Sequence, residues 1–327
     1  MKMTRMVMPI KLKRKYDSND QRTIRYRVTL FRPLGMYPRG TICTPTGLFH
    51  ADEDIVFAVT RGTTWWAKGD HLPYSEVDWM EPELVRLLAA MLLAEQPYGV
   101  RPGFYPMSYG GFVLNEQAVN LTDARTASAV KKALLNTVNN RLWKQIQAMW
   151  MQCIGQKFVL FDQRELDVEE VSALSDAIRT DNHLLMRGVQ ALIKSDMLGA
   201  HPEFQEEGAI ATFIALDASF QMVLRLLRAN GNPNPSAKDA GTWIYETFDK
   251  LLEIHGGADI KYYEGFYDSR VKTMHPGSRF GDMPYAPVMV GDRYHLRESL
   301  SGVFAYLVLQ RHSPSFLREV ESSKARR

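Results

Sequence analysis

The stretch Phe266-Tyr267-Asp268-Ser269-Arg270-Val271-Lys272-Thr273-Met274-His275-Pro276-Gly277 closes a helical segment that begins near Asp259. Proline cannot continue a helix and glycine commonly ends one, so Pro276-Gly277 stops this one. On a regular helix, residues five apart lie about 140° apart around the axis, which would separate Arg270 from His275. His275, however, precedes a proline, and a pre-proline residue is driven out of the α region. The helix is therefore expected to end at His275 and let the imidazole swing back toward Arg270. Such a pair suits a phosphodiester. Arginine offers a planar bidentate fork to a phosphate, and histidine titrates near neutral pH and can pass a proton to or from a ribose oxygen.

Outward from this segment, residues 182–327 read as a separate helical domain. One helix is predicted from Glu203 to Arg228, ended by Asn230-Gly231-Asn232-Pro233. Ser236 caps another through Trp243, Phe248 and Leu251, stopped by Gly256-Gly257. The third is the Asp259–His275 helix. The fourth runs from Asp292 to His312 with Leu300, Val303, Phe304 and Leu307 inside. Four helices separated by breakers can form a bundle. The tail Ser322–Arg327 is expected to fray.

Residues 121–181 read as a helical connector. Its first helix keeps an apolar stripe from residue 123 to about 152 through Ala127, Val130, Leu134, Val138, Ile146 and Met149. Asp167 and Glu170 form a capping pair for a helix to Ile178, and another helix follows over Asn182–Met197. These last two have the order of a helix-turn-helix, but the turn lacks glycine and the second helix offers only Arg187 and Lys194. Two packed core helices are the preferred reading.

Residues 1–120 read as mixed α/β with a basic arm. In Arg22–Phe31, Ile24, Tyr26, Val28 and Leu30 alternate with Thr23, Arg25, Arg27 and Thr29, the pattern of a half-buried strand with a basic outer face. Asp54–Thr60 is a second strand. Glycine and proline mark loops over residues 33–47 and 97–111. Between them Pro82 opens a helix to Gln96 with Leu84, Leu87, Leu88 and Met91 on one stripe. The fold class is thus mainly α, with a mixed α/β N-terminal region and a C-terminal four-helix bundle.

At 327 residues, 45% hydrophobic and 24% charged, the chain is neither disordered nor collagen-like nor a disulfide-stapled miniprotein. Its longest apolar run, Leu87–Ala94, is eight residues, against the roughly 20 a membrane span needs. Lys2, Arg5 and Pro9 interrupt any secretory apolar segment. Cys43 and Cys153 lie far apart and read as reduced thiols, so a cytoplasmic, membrane-free protein is expected. No dinucleotide or phosphate loop, zinc spacing or nucleophile elbow occurs, and no metal or cofactor is expected. Net charge is +3, but the first 40 residues carry +9 and the rest −6. A basic arm attracts polyanions, nucleic acid above all; a solvated tail beside a strand with a charged outer face is the plainer alternative.

Arg270-x4-His275, at the end of the third helix of a four-helix unit and just after Tyr267, resembles the Arg-x(4–6)-His signature of the HEPN superfamily. Leu216-Asp217-Ala218-Ser219-Phe220 resembles part of that family's first core helix, and the resemblance spans roughly residues 182–318. It implies a metal-independent endoribonuclease, possessed of no cofactor, of the kind used as toxins and in antiviral, anti-phage defence. Arg270 would bind and stabilise the phosphate and His275 would transfer protons. Two copies would dimerise around one cleft, with an antitoxin or defence-complex partner. Family members commonly carry Asn, Asp or His directly after the arginine, where this chain has Val271. The alternative is a non-catalytic HEPN-like scaffold or nucleic-acid-binding subunit of a larger complex. Two roles are open for Asp217, pairing with Arg270 or facing solvent, and two for Tyr267, lining the cleft or packing in the core. Lys272 and Arg279 would hold flanking phosphates or serve solubility, and Arg25, Arg27 and Lys13 would hold RNA from the arm.

Overall fold

The computed structural model describes residues 12–14, 26–61, 80–94, 101–107, 112–114, 119–138, 156–252, 261–274 and 290–325. The chain divides into two compact units, residues 1–91 with 98–176 and residues 92–97 with 177–327. It is mainly α with an α/β N-terminal part.

Among the described residues the first unit carries eight strands: β1 (Leu12–Arg14), β2 (Tyr26–Leu30), β3 (Met36–Pro38), β4 (Gly40–Cys43), β5 (Gly47–Ala51), β6 (Val56–Arg61), β7 (Phe112–Leu114) and β8 (Val159–Phe161). Its helices are α1 (Pro82–Leu93), α2 (Ala124–Val138) and α3 (Val168–Ala177). Six strands form one sheet in the order β1-β7-β2-β6-β5-β4, with every pairing antiparallel. β3 pairs in parallel with β8.

The predicted alternation in β2 is present on one face. Val28 and Leu30 pack with Leu48, Phe57 and Val59 against Ala127, Val130 and Leu134 of α2. The other face departs from the expectation of a solvated basic surface. Thr29 is buried, and the Arg27 guanidinium pairs with Glu81 at the entry to α1. Further along that face Gly47 gives room to the Leu87 side chain of α1. Helices thus cover both sides of the central strands, which explains why β5 and β6 are apolar almost throughout.

The predicted loop over residues 33–47 contains β3 and β4. Three-residue strands leave no periodic signal, and β3 exists only because β8, far along the chain, pairs with it. β4 is an edge strand, and its edge is covered: Gln163 Nε2 donates to the Thr41 carbonyl at 3.3 Å. Gly40, at φ +108°, makes the turn between β3 and β4, with the Gln163 amide where a side chain would be. The α3 cap is as predicted, with Glu170 N–H donating to Asp167 Oδ1 at 3.0 Å. The helix expected to reach residue 152 is described only to Val138, and its remainder lies outside the described residues.

The second unit contains α4 (His183–Gly199), α5 (Gln205–Ala229), α6 (Ala237–Ile244, continued by a π-helical turn over Tyr245–Asp249), α7 (Tyr262–Met274), α8 (Val290–Leu309) and α9 (Pro314–Ala325). Asn182 caps α4, and a Ser236–Asp239 capping box opens α6. The 25-residue α5 is central: α4, α6, α7 and α8 all pack on it. The segment Pro202–Ala229 has the length and hydropathy of a membrane span, and half of that window is buried within the fold. The tail departs from expectation. Ser313 Oγ accepts from Phe316 N–H at 3.1 Å and Pro314 occupies the first helical position, so 314–325 form a helix. Ser323 ties it back through a 3.3 Å hydrogen bond to the Leu252 carbonyl.

α4 and α5 approach closely because small residues line their contact. Ser195 and Thr212 share a 2.7 Å hydrogen bond, Gly188 lies under the Phe304 ring of α8, and Gly199 lies under the Arg293 guanidinium. Arg293 is only 2% exposed and donates from Nη1 to the Ser195 carbonyl and hydroxyl at 3.2 and 3.3 Å. Arg297 makes a bidentate pair with Asp196 one turn further along α8. A methyl at Gly188 would overlap Phe304, whereas one at Gly265 in α7 would meet open space. Gly188→Ala is therefore expected to lower unfolding free energy by about 1–3 kcal/mol through overpacking. Gly265→Ala should raise it by up to about 1 kcal/mol through helix propensity; chemical denaturation reads both.

In the first unit α2 is pinned by Lys131, whose Nζ donates to Asp52 and Asp54 at 2.6 Å each. Burial pushes the Asp52 carboxyl up, but hydrogen bonds from Lys131, His50 and the amides of Asp54 and Ile55 outweigh it and hold the group below its ordinary value. A depressed folded pKa stabilises above the unfolded value and is lost as pH falls through the folded one. Stability measured below about pH 4 is accordingly expected to fall less steeply for Asp52→Asn than for the wild type.

Candidate functional site

Helix α7 lies on α5 through its tyrosines. Tyr263 is buried, with its ring 5.0 Å from that of Phe220 and its hydroxyl 3.4 Å from Ser219 Oγ. Tyr262 packs edge-on against Phe266. Burial drives both phenols well above their ordinary pKa, so they are neutral packing groups. Positions 263, 267 and 270 follow helical spacing along one stripe. With Tyr263 seated, Arg270 two turns on is carried to the level of Asp217 on α5.

There the two meet. Arg270 Nη1 donates to Asp217 Oδ1 at 3.0 Å and stands 2.9 Å from Oδ2. The Arg270 side chain is 30% exposed and that of Asp217 48%. Arg270 also lies over the Tyr267 ring, with its guanidinium carbon 5.7 Å from the centroid. Nη1 makes the contacts to Asp217, leaving Nε and Nη2 without a hydrogen-bond partner among the described residues. The guanidinium is thus oriented on one edge and open on another, the arrangement needed to present a fork to an anion. Asp217 does pair with Arg270, but as a half-exposed carboxylate rather than a buried one. Tyr267 is 53% exposed and is not core.

Burial pushes the Asp217 carboxyl above its ordinary value, and Arg270 offsets this only in part. The ionised carboxylate therefore contributes least to stability at neutral pH, where it is charged. A group kept at a cost in stability beside an open guanidinium is a mark of a functional site.

His275 follows the last described residue of α7 and lies outside the described residues, as does the expected return of its imidazole. Arg279, Arg25 and the side chains of Lys272 and Lys13 lie outside them too. Strand register places Lys13 in one row with Val113, Arg27 and Thr60. Arg27 itself is engaged by Glu81 inside the first unit and is not an open surface cation.

Sequence reasoning missed a second polar constellation. Thr41 Oγ1 lies 2.8 Å from His50 Nδ1, and His50 Nε2 lies 2.9 Å from Asp52 Oδ2, which also receives Lys131. The period-2 spacing of His50 and Asp52 was its only signal; the Thr41–His50 pairing came from strand register. Among the described residues no group of three His, Cys, Asp or Glu side chains could hold a metal ion. The Cys43 thiol is pushed up by burial and by Asp123, which disfavours its thiolate form.

Comparison with protein-family models, with curated proteins and with solved structures finds no significant match to this chain.

The exposure of the Asp217–Arg270 pair sets its energetic scale. Arg270→Ala is expected to cost at most about 1 kcal/mol of stability, the range of exposed ion pairs, rather than the 3–5 kcal/mol of a broken buried pair. The Asp217 carboxyl has a raised folded pKa, so its stabilisation is present in acid and lost as pH rises through that value. Asp217→Asn should hence be at least as stable as wild type at neutral pH, with any gain vanishing below about pH 4. Thermal melts across pH check both outcomes.

Proposed function

We propose that residues 182–327 form a HEPN-type domain that cleaves RNA without a metal ion or cofactor. The observation that carries this reading is Arg270, held by Asp217 across α5 and α7, one edge open, on the helix that leads directly into His275. The Arg270-x4-His275 spacing resembles the family's signature, with Val271 as a departure, and the Asp217 pairing gives the arginine a defined orientation.

The chemistry follows from the two groups. The ribose 2′-oxygen attacks its own phosphorus as a base takes the 2′-hydroxyl proton. The bond from phosphorus to the 5′-oxygen breaks, and an acid protonates that oxygen. The products are a 2′,3′-cyclic phosphate and a 5′-hydroxyl, and no water is consumed. His275 serves as proton acceptor or donor, and Arg270 neutralises charge that grows on the phosphoryl oxygens in the transition state. A single histidine cannot hold both protonation states at once. A homodimer presenting two copies of His275 to one cleft supplies base and acid together.

The setting that fits such an activity is a cytoplasmic toxin or anti-phage defence effector, held in check by an antitoxin or a defence-complex partner. Val271, in the place of the polar residue common after the family's arginine, favours the second reading: a non-catalytic HEPN-like subunit that binds nucleic acid or dimerises.

The deciding experiment is cleavage of RNA by the full chain with EDTA present. Wild type should cleave and leave cyclic phosphate ends. His275→Ala should lose cleavage but keep RNA bound, because the imidazole moves protons and adds little ground-state affinity. Arg270→Ala should lose cleavage and weaken binding, since it removes a phosphate contact, and Arg270→Lys should not restore activity, since an ammonium lacks the planar fork. Cleavage by His275→Ala at the wild-type rate, or activity abolished by EDTA, overturns the mechanism. RNA binding without cleavage by wild type selects the second reading.

A further inference from the structure

Among the described residues Tyr267 makes no ring contact other than that with Arg270. α7 seats on α5 through Tyr263, whereas Tyr267 is 53% exposed. Its phenol has no hydrogen-bond partner among the described residues. One side of the ring is approached by the Arg270 guanidinium at 5.7 Å. A large aromatic surface is thus exposed beside a guanidinium edge that has no hydrogen-bond partner among the described residues.

The reaction proposed above demands a partner for such a surface. Attack by a 2′-oxygen requires that oxygen, the phosphorus and the leaving 5′-oxygen to lie in line. A stacked A-form strand does not offer this geometry, so the reacting nucleotide must leave its stack. Unstacking is unfavourable, and proteins offset it by stacking the displaced base on an aromatic ring. Tyr267 and Arg270 lie one helical turn apart on one stripe, so a single nucleotide can lay its base on the ring while its phosphate meets the guanidinium. We infer that Tyr267 is the base-stacking residue of this site, which holds a nucleobase next to the scissile phosphate. The inference rests on the ribonuclease reading of Arg270 and His275.

The test is a binding cycle on the full chain. The cleaved bond is first mapped with wild type on a short unstructured RNA. Affinity for that RNA is then compared with affinity for the same RNA made abasic at each nucleotide flanking the bond, using the His275→Ala background to prevent turnover. Tyr267→Ala is expected to weaken binding to the intact RNA about tenfold, the scale of one base–aromatic stack. It should leave binding to one of the abasic RNAs unchanged, because that RNA has already lost the same contact. Tyr267→Phe should match the parent, since stacking uses the ring and not the hydroxyl.

Equal affinity of Tyr267→Ala and its parent for intact RNA overturns the inference and leaves the ribonuclease reading standing. So does an equal loss on intact and abasic RNA, which would make the ring a support for Arg270. So does loss of the dimer in Tyr267→Ala, seen by light scattering, which would make it an interface residue. If wild type cleaves no RNA, the underlying reading fails, and the inference with it.

Discussion

The helical unit depends on how closely α4 and α5 can approach. Gly188, Gly199, Gly208, Ser195 and Thr212 leave the contact without bulk, and the space above it is taken by Phe304 and Arg293 of α8. A guanidinium at 2% exposure is a severe choice for a core. It is tolerated because the Ser195 carbonyl and hydroxyl accept from it near the C-terminal end of α4, where the helix dipole is negative. The Arg297–Asp196 pair one turn away fixes the same two helices. With α4 and α8 locked in this way, α5 becomes a rigid support for α7.

The candidate site is built on that support by a different logic. Where the core hides apolar side chains and pairs its charges, the face shared by α5 and α7 leaves an aromatic ring in water. It also keeps a carboxylate at a raised pKa and spends only part of an arginine's donor capacity. The three features meet where one turn of α7, carrying Tyr267 and Arg270, faces Asp217 of α5. Tyr263, one turn earlier on the same helix, shows the contrast: a similar side chain, buried beside Phe220 and Ser219, that serves as an anchor.

The first unit shows how far one layer of structure changes the meaning of charge. Read as an isolated strand, β2 has an apolar and a basic face, and the basic face invites a polyanion. Once α1 covers that face, Arg27 becomes an internal partner for Glu81 and Gly47 becomes the gap that admits Leu87. The positive charge of the first 40 residues is thereby partly consumed within the fold.

Local signals were sufficient wherever the deciding interaction is local. The caps at Asp167 and Ser236, the amphipathic stripe of α2, and the breakers that separate α5 from α6 are readable because helix bonds and caps join residues within a turn of one another. The same holds for the alternation in β2 and for the mainly α fold class. The approach of Asp217 to Arg270 was readable as one of two options, since a carboxylate in an apolar run needs a partner but does not name it. Only the tertiary structure decided the rest. The pairing of β3 with β8, the turning inward of Arg27 and the exposure of Tyr267 depend on elements distant in sequence, whereas β4 and the Thr41–His50–Asp52 chain belong to a β4–β5 hairpin hidden within a stretch read as a loop. The α9 helix is the exception, because its Ser313-Pro314 start was a local signal passed over. Sequence by itself determines which residues can form an element. Which face that element turns to water is set by what packs against it, and that is a property of the assembled fold.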